Sequence, residues 1–466
     1  MKKTNIIILL VFLLLSFCIG INHEPWVDEA QSWIIARDAS VFEIVGNLAR
    51  YEGAFPLWHL TLKIFIALGL TYEYIFIVPL IISAIGISVF LKKVDAPKYV
   101  KILLPFTYFV FYQYTIIARS YCYLLLAISL LLITYKKRLE KPLKYILSLS
   151  FISLISMHGM IVAITLVTTF FIEVIKQKNI KKYIISFIIF GIIMIVEIII
   201  LFPPSDLYMT VSAVYTIPEI IRSIFHAIIG NGNLFFKVYN AISVILLLVL
   251  FSRMLIIKNK DILITCFILI LFMFIIRFAS HHAGIIYLLI IFGILSNYEE
   301  IKSKTKNFDI LFFIVLVLYC ILSVQCGVND YLYTYSGSKE MAQYIENNIK
   351  DKNEIVGFGY KSVALQPYFE ENLYVNHKDT IYKWSTDNTD FYTYCNFEKY
   401  DKSEFTQTPK YILLELDEED EKLKLVNQYI ETSNKYDVDF KTDGRVFFKN
   451  SYSEKEGYIL YKLIEN

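Results

Sequence analysis

The sequence predicts an α-helical polytopic membrane bundle of about eleven spans plus interfacial helices, followed by a small extracytoplasmic α/β domain. Three observations carry this. Hydrophobic residues make up 56% of the 466 positions and mean hydropathy is +0.52, too apolar for an ordinary soluble chain. The apolar runs are separated by short connections that are alternately basic and poor in basic residues. They stop near Cys326, after which residues 327–466 hold most of the clustered acids and read as a soluble domain of about 140 residues.

Taken in order, the apolar runs fall near 5–21, 74–91, 99–117, 120–135, 143–157, 159–175, 182–202, 236–257, 261–278, 283–296 and 308–326. The first has a basic start but no small-x-small cleavage site after it, so it reads as an uncleaved span. Lys2 and Lys3, Lys92 to Lys101, Lys136 to Lys144, Lys176 to Lys182, Arg253 to Lys260 and Lys302 to Lys306 occupy alternate connections, which the positive-inside rule places in the cytoplasm. That assignment requires residues 56–69, with Lys63 among them, to lie as a re-entrant or interfacial helix. The N-terminus is then cytoplasmic and the tail, residues 327–466, outside the cytoplasmic membrane. The net charge of +2 implies no nucleic-acid partner, and the cysteines build no disulfide framework in the tail, which has only Cys395.

In the tail, 338–350 and 417–433 read as helices, and 354–359, 410–416, 445–450 and 457–464 as strands. Gly357-Phe358-Gly359 lacks the third glycine and the acidic partner of a nucleotide fingerprint.

Function is expected in the first outer loop, residues 22–55. It is the one long polar interruption in the first half of the chain and carries Asp28, Glu29 and, further on, Glu52. Asp28 with Gln31 reads as a helix cap, a structural role; neighbouring carboxylates can also divide proton acceptance and orientation between them. Basic and imidazole groups fall on the same outer side: Arg119 between two apolar runs, Arg277 followed by Ser280-His281-His282, and the lone His158 at a span end, read as structural. An arginine at membrane depth costs about 2.5 to 3.5 kcal/mol on insertion scales, so it pairs with an acid, binds a phosphate or snorkels to headgroups. A divalent metal at His281 and His282 would need a loop geometry, because adjacent helix positions point about 100° apart. No cofactor is expected. Glu197, inside an Ile-rich run, must be protonated or cavity-facing. Trp26, Trp33 and Trp58 flank the loop and would suit a sugar ring, a prenyl chain or simple core packing.

The Asp28-Glu29-Ala30 stretch after a first span, followed by an acid shortly before Pro56-Leu57-Trp58, resembles the C superfamily of glycosyltransferases, in the branch with protein O-mannosyltransferases and the lipid A aminoarabinose transferase. Ala54-Phe55-Pro56 stands where such relatives often have His-Pro-Pro. The resemblance implies inverting sugar transfer from a polyprenyl-phosphate donor to a glycan, lipid or protein hydroxyl on the outer face of the membrane. Asp28 would be the general base, Glu29 and Glu52 would hold the acceptor, and Arg119, Arg277, His281 and His282 would bind the donor phosphate. A transporter or flippase, or a polymerase of lipid-linked saccharides, is the competing expectation; the chain shows no internal repeat of the kind transporters often carry.

Overall fold

The computed structural model describes residues 3–178, 180–207, 234–256, 260–276, 280–351, 354–377, 379–381, 383–384, 409–416, 421–448 and 451–464. Arg277 and Cys395 therefore lie outside the described residues.

Among the described residues six helices are long and apolar enough to cross a membrane: α1 (Lys3–Gly20), α4 (Ile77–Lys93, extended back to Tyr72), α7 (Met157–Lys176), α8 (Ile184–Leu201), α9 (Leu234–Ile256) and α13 (Phe308–Leu332). The bent pair α11 (Ala283–Ser296) and α12 (Tyr298–Lys304), kinked by 77°, would make a seventh. The chain has the build of a multi-pass membrane protein. On α8 the side chains of Ile185, Ile188, Ile192, Ile195 and Ile199 are more than half exposed, an apolar outer stripe that suits lipid and not water.

The expected eleven runs differ in kind. The run at 99–117 is no single helix but a chain of short turns (Lys98–Leu103, Leu104–Phe106, Phe109–Gln113) interrupted at Pro105 and buried among its neighbours. Pro105 removes a backbone donor, and the dense aromatics Tyr108, Phe109, Phe111 and Tyr112 are packed as core. The runs at 120–135 and 143–157 yield only twelve-residue helices, α5 (Leu124–Tyr135) and α6 (Pro142–Ser153). That at 261–278 yields α10 (Lys260–Ile276). Residues 56–69 form α3 (Leu57–Ala67), about 16 Å long at 1.5 Å per residue and too short to cross. Its Lys63 ammonium donates to the carbonyls of Ala36 (3.0 Å) and Ala39 (2.7 Å) at the end of α2 (Val27–Asp38), where a cation suits the helix C-terminus.

The bundle has two polar ends. At one, Asp309 accepts from Tyr99 (3.1 Å) and pairs with Tyr298 and Lys302, Tyr135 donates to Asp261 (3.2 Å), and Arg138 pairs with Glu173 (2.8 Å). At the other lie the loop after α1 and the starts of α7 and α11. Along α13 the chain rises about 32 Å from Asp309 at the first end to Asp330 near the second.

The expected boundary at 327 falls inside α13, which continues to Leu332. Beyond it, α14 (Ser338–Asn348) leads into a four-stranded sheet of β1 (Ile355–Phe358), β2 (Tyr411–Glu415), β6 (Tyr458–Leu463) and β3 (Tyr436–Thr442), in the order β1-β2-β6-β3. β1 runs parallel to β2; the other pairings are antiparallel. The face carrying Val356, Phe358, Ile412, Leu414, Ile459 and Tyr461 packs on α15 (Glu421–Ser433). The opposite face, with Ile355, Leu413, Tyr458 and Leu460, joins the core of the bundle. Burial on both faces explains the unbroken apolar run of β2. The expected strand at 445–450 is β4 (Arg445–Phe448), paired only with β5 (Ser451–Lys455) in a separate hairpin. β3 escapes the sequence reading because Tyr436 to Thr442 is a largely solvated edge, with little apolar alternation to betray it.

Candidate functional site

The loop after α1 turns through His23, Glu24 and Pro25 into α2, whose first turn carries Asp28 and Glu29. The capping carboxylate is Glu29, not Asp28. The helix begins two residues earlier than the Asp28-Gln31 spacing implies, so Glu29 occupies the third position and its Oε2 accepts from the Trp26 N–H (3.1 Å). Asp28 is left free to leave the helix, and its Oδ2 meets Nη1 of Arg119 at 2.6 Å. Both side chains are a quarter exposed, so the pair opens on solvent-accessible space.

Glu29 is fully buried. Beyond Trp26, it accepts from the Ala118 N–H (2.5 Å) and faces Nε2 of His23 (3.0 Å). Nδ1 of His23 faces both oxygens of Asp330 at 3.1 and 3.0 Å. Burial works against a charge on His23, but Asp330 and Glu29 outweigh it and raise its pKa well above the ordinary histidine value. With carboxylates on both nitrogens, the ring donates from each. Glu29 thus has both oxygens engaged by donors within the protein.

Glu52 closes a short helical turn, Ala49–Glu52, and is followed by Gly53 at φ +61°, a left-handed bend that glycine adopts without strain. Its Oε1 accepts from Nε2 of Gln31 (2.6 Å), one turn along α2 from Asp28. Burial first, and then the charge of Asp28, push its pKa up to about 7, against the pull of Arg119 and Gln31. Two acids therefore stand in one site, Asp28 paired with a guanidinium and Glu52 close to half-protonated at neutral pH.

Arg119 sits in an extended residue before the turn Ser120–Tyr123, with its guanidinium 5.8 Å from the ring centre of Tyr121. Burial disfavours its charge, but Asp28, Tyr121, Glu52 and Glu29 hold it firmly cationic. The Tyr121 ring lies 5.3 Å from that of His281 and 6.1 Å from that of His282, so the second expected cluster does reach the first. Both histidines are driven neutral, by burial and by Arg119 and His158 among their neighbours. His158, expected to be structural, joins them: its ring centre is 3.9 Å from that of His282. Its approach depends on Gly159, where a Cβ would run into the carbonyl oxygen of Ile152. The Met157 sulfur beside it would stand 3.5 Å from a Cβ placed on Gly53, which sets the start of α7 against the acidic loop.

Other expected residues go elsewhere. Trp33 and Trp58 are buried, Trp33 against Tyr72 at 5.5 Å, and pack as core. Glu197 is buried on α8 and accepts from Ser153 at 2.7 Å. Among the described residues no group of three His, Cys, Asp or Glu side chains is arranged to hold a metal ion.

The tail reaches the same end of the bundle. The turn Tyr360–Tyr368 lies on α2, Arg37 donates to the carbonyls of Pro367 (3.3 Å) and Phe369 (2.9 Å), and Thr380 donates to Asp38 (2.6 Å). Two residues that sequence reasoning missed, Asp330 and Glu456, complete the polar network. Asp330 follows the last apolar run closely enough to have raised suspicion; nothing local marks Glu456.

No family model, no curated protein and no solved structure matches this chain. The described residues define a multi-pass membrane protein with a polar site, built of paired acids, an arginine and three histidines, at one end of the bundle.

Proposed function

We propose that the protein is a membrane glycosyltransferase that passes a sugar from a polyprenyl-phosphate donor to an acceptor hydroxyl at the outer face of the cytoplasmic membrane. The observation that carries this reading is the Asp28–Arg119 ion pair, a quarter exposed and 2.6 Å long, with Glu52 beside it. In the resting site Arg119 occupies Asp28. A donor phosphate, offering more charge and more acceptor oxygens, draws the guanidinium fork to itself, and Asp28 is freed as a base when the donor is in place. The acceptor O–H then gives its proton to Asp28 as its oxygen bonds to the anomeric carbon. The bond from that carbon to the phosphate oxygen breaks, and its electron pair leaves with the phosphate. Arg119 holds this developing charge, while neutral His281 and His282 can donate from ring N–H groups. Glu52, its pKa pushed up to about 7, orients the acceptor. With this function the tail and the site are extracytoplasmic and the basic end faces the cytoplasm, in keeping with the distribution of lysines.

The competing reading, a carrier for lipid-linked saccharides, is disfavoured by the placement of Asp28, Glu52, Arg119 and the histidines together at one end of the helices, where a carrier keeps its site near the midplane. The test is reconstitution of the purified protein in liposomes with polyprenyl-phosphate sugars, guided by mass-spectrometric comparison of envelope glycans with and without the protein. A product sugar linkage that Asp28→Asn abolishes is expected. Movement of intact donor across the bilayer in that variant would instead identify a carrier.

A further inference from the structure

We propose that the buried chain of His23, Glu29, Asp330 and Glu456 is a positioning device that fixes Asp28 against Arg119 and makes the last span and the tail part of that site. The consequence for transfer rests on the reading above; the geometry of the device does not.

One carboxylate holds two backbones. Oε2 of Glu29 accepts from Trp26 N–H at 3.1 Å, at the entry to the helix that carries Asp28. Oε1 accepts from Ala118 N–H at 2.5 Å, in the residue before Arg119. Of the two side chains that meet at 2.6 Å, Arg119 directly follows the anchored Ala118 and Asp28 follows the anchored Trp26 by two residues. His23 then links Glu29 to Asp330 near the end of α13, with all three side chains withdrawn from solvent.

The tail adds a second anchor to the same helix. Glu456, itself buried, accepts from Val27 N–H at 3.3 Å through Oε2 and from the Ser336 hydroxyl at 2.6 Å through Oε1. The first-turn donors of a helix are ordinarily met by a neighbouring side chain or by water. Here one is met by a residue 429 positions away. Buried carboxylates are costly, and apolar packing could hold the same elements together at least as well. What an apolar contact would not supply is a fixed direction for the Trp26, Val27 and Ala118 amides, and hence for the side chains next to them. All four residues are buried, so their role is positioning.

Hydrogen exchange read by mass spectrometry on the full chain in lipid nanodiscs tests this, with Asp330→Asn, Glu456→Ala and Glu456→Gln. Asp330→Asn is expected to speed exchange several-fold in two segments remote from each other in sequence, 26–32 and 116–120. Glu456→Ala should do so at least in the first, and Glu456→Gln, whose amide oxygen can still accept from Val27, should restore it. Affinity for undecaprenyl monophosphate should fall about tenfold in Asp330→Asn and Glu456→Ala, the equivalent of about one lost hydrogen bond, and recover in Glu456→Gln. Unchanged exchange in 116–120 with Asp330→Asn overturns the proposal, since the contact is then only local. Should Asp330→Asn fail to fold, the Ala and Gln forms of residue 456 carry the same comparison, and equal phosphate affinity in both overturns it. Coupled exchange in a wild-type protein that binds no undecaprenyl monophosphate would leave the positioning device standing and remove the transferase reading.

Discussion

Arg119 and Asp28 are partners at 2.6 Å although 91 residues separate them in the chain, and each is set by a backbone amide bound to the same carboxylate, Glu29. This pairing makes binding and chemistry respond oppositely to one change. Asp28→Asn removes the competitor for the guanidinium, so affinity for a polyprenyl phosphate should rise severalfold. Turnover should fall by about 10²-fold or more, the usual worth of a general base. Binding titration and single-turnover transfer on the same preparation check it; a parallel fall in both would mean that Asp28 helps bind the donor.

Arg119→Lys keeps a charge but loses the planar fork. Affinity for the phosphate should drop about tenfold, corresponding to one lost charge-assisted hydrogen bond, while the protein remains folded because a lysine can still pair with Asp28. Calorimetric titration with undecaprenyl monophosphate reads this directly. Unchanged affinity would move the phosphate away from Arg119.

Glu52 supplies a pH dependence with a definite sign. Burial and Asp28 raise its pKa from 4.5 to about 7 in the folded chain, so between those values the folded state holds a proton that the unfolded state has released. Stability from this group is present below pH 4.5 and is lost as pH rises through 7. Glu52→Gln, which mimics the neutral acid, should remove that loss: relative to wild type it should gain stability from pH 5 to pH 8. Parallel thermal unfolding curves of the two proteins across this range would show that Glu52 is ionised throughout.

Much of this was legible in the chain and part was not, for physical reasons. The apolar runs and the acidic loop stand out because lipid and water select composition strongly, and α1, α4, α7, α8 and α13 follow from length and hydropathy. The run 99–117 misleads because hydropathy reports burial, not helicity, and a core of tyrosines and phenylalanines is as apolar as a span. Asp28, Arg119, His281 and His282 were found individually, since a polar group among apolar ones is conspicuous. An acid partner for Arg119 was among the expectations, but which acid was not legible, because a contact across 91 residues depends on how helices pack. Glu456 was invisible: in a tail rich in acids, nothing local distinguishes the one that caps α2.

Glu29→Gln should behave as a drastic substitution despite its shape. Its two oxygens accept from Trp26 N–H and His23 at one atom and from Ala118 N–H at the other. An amide replaces one acceptor by an NH2 group, so a donor must face a donor whichever way it is turned. A buried unsatisfied donor costs about 1 to 3 kcal/mol. Chemical unfolding in detergent should register a loss in that range, and His23→Gln, which removes one donor, should partly offset it in the double variant. Additive losses would show that the two residues do not interact.

The last expectation concerns sidedness. Helix α13 carries in its first turn Asp309, in the cluster with Tyr99, Tyr298 and Lys302, and near its end Asp330, beside His23 and the acidic loop. The lysine-rich connections fall at the first end, with Arg138 and Lys182 near the loop between α5 and α6. A membrane potential and anionic inner lipids favour basic connections in the cytoplasm, so the second end, and with it the tail docked on α2 through Arg37, should face outward. Asp437→Cys places a thiol on the exposed part of edge strand β3, away from the packed faces. A membrane-impermeant maleimide should label it in intact cells, while a cysteine in place of exposed Lys137 should react only after the membrane is opened. The reverse pattern would turn the molecule over, place Asp28 and Arg119 in the cytoplasm, and require a donor presented from that side.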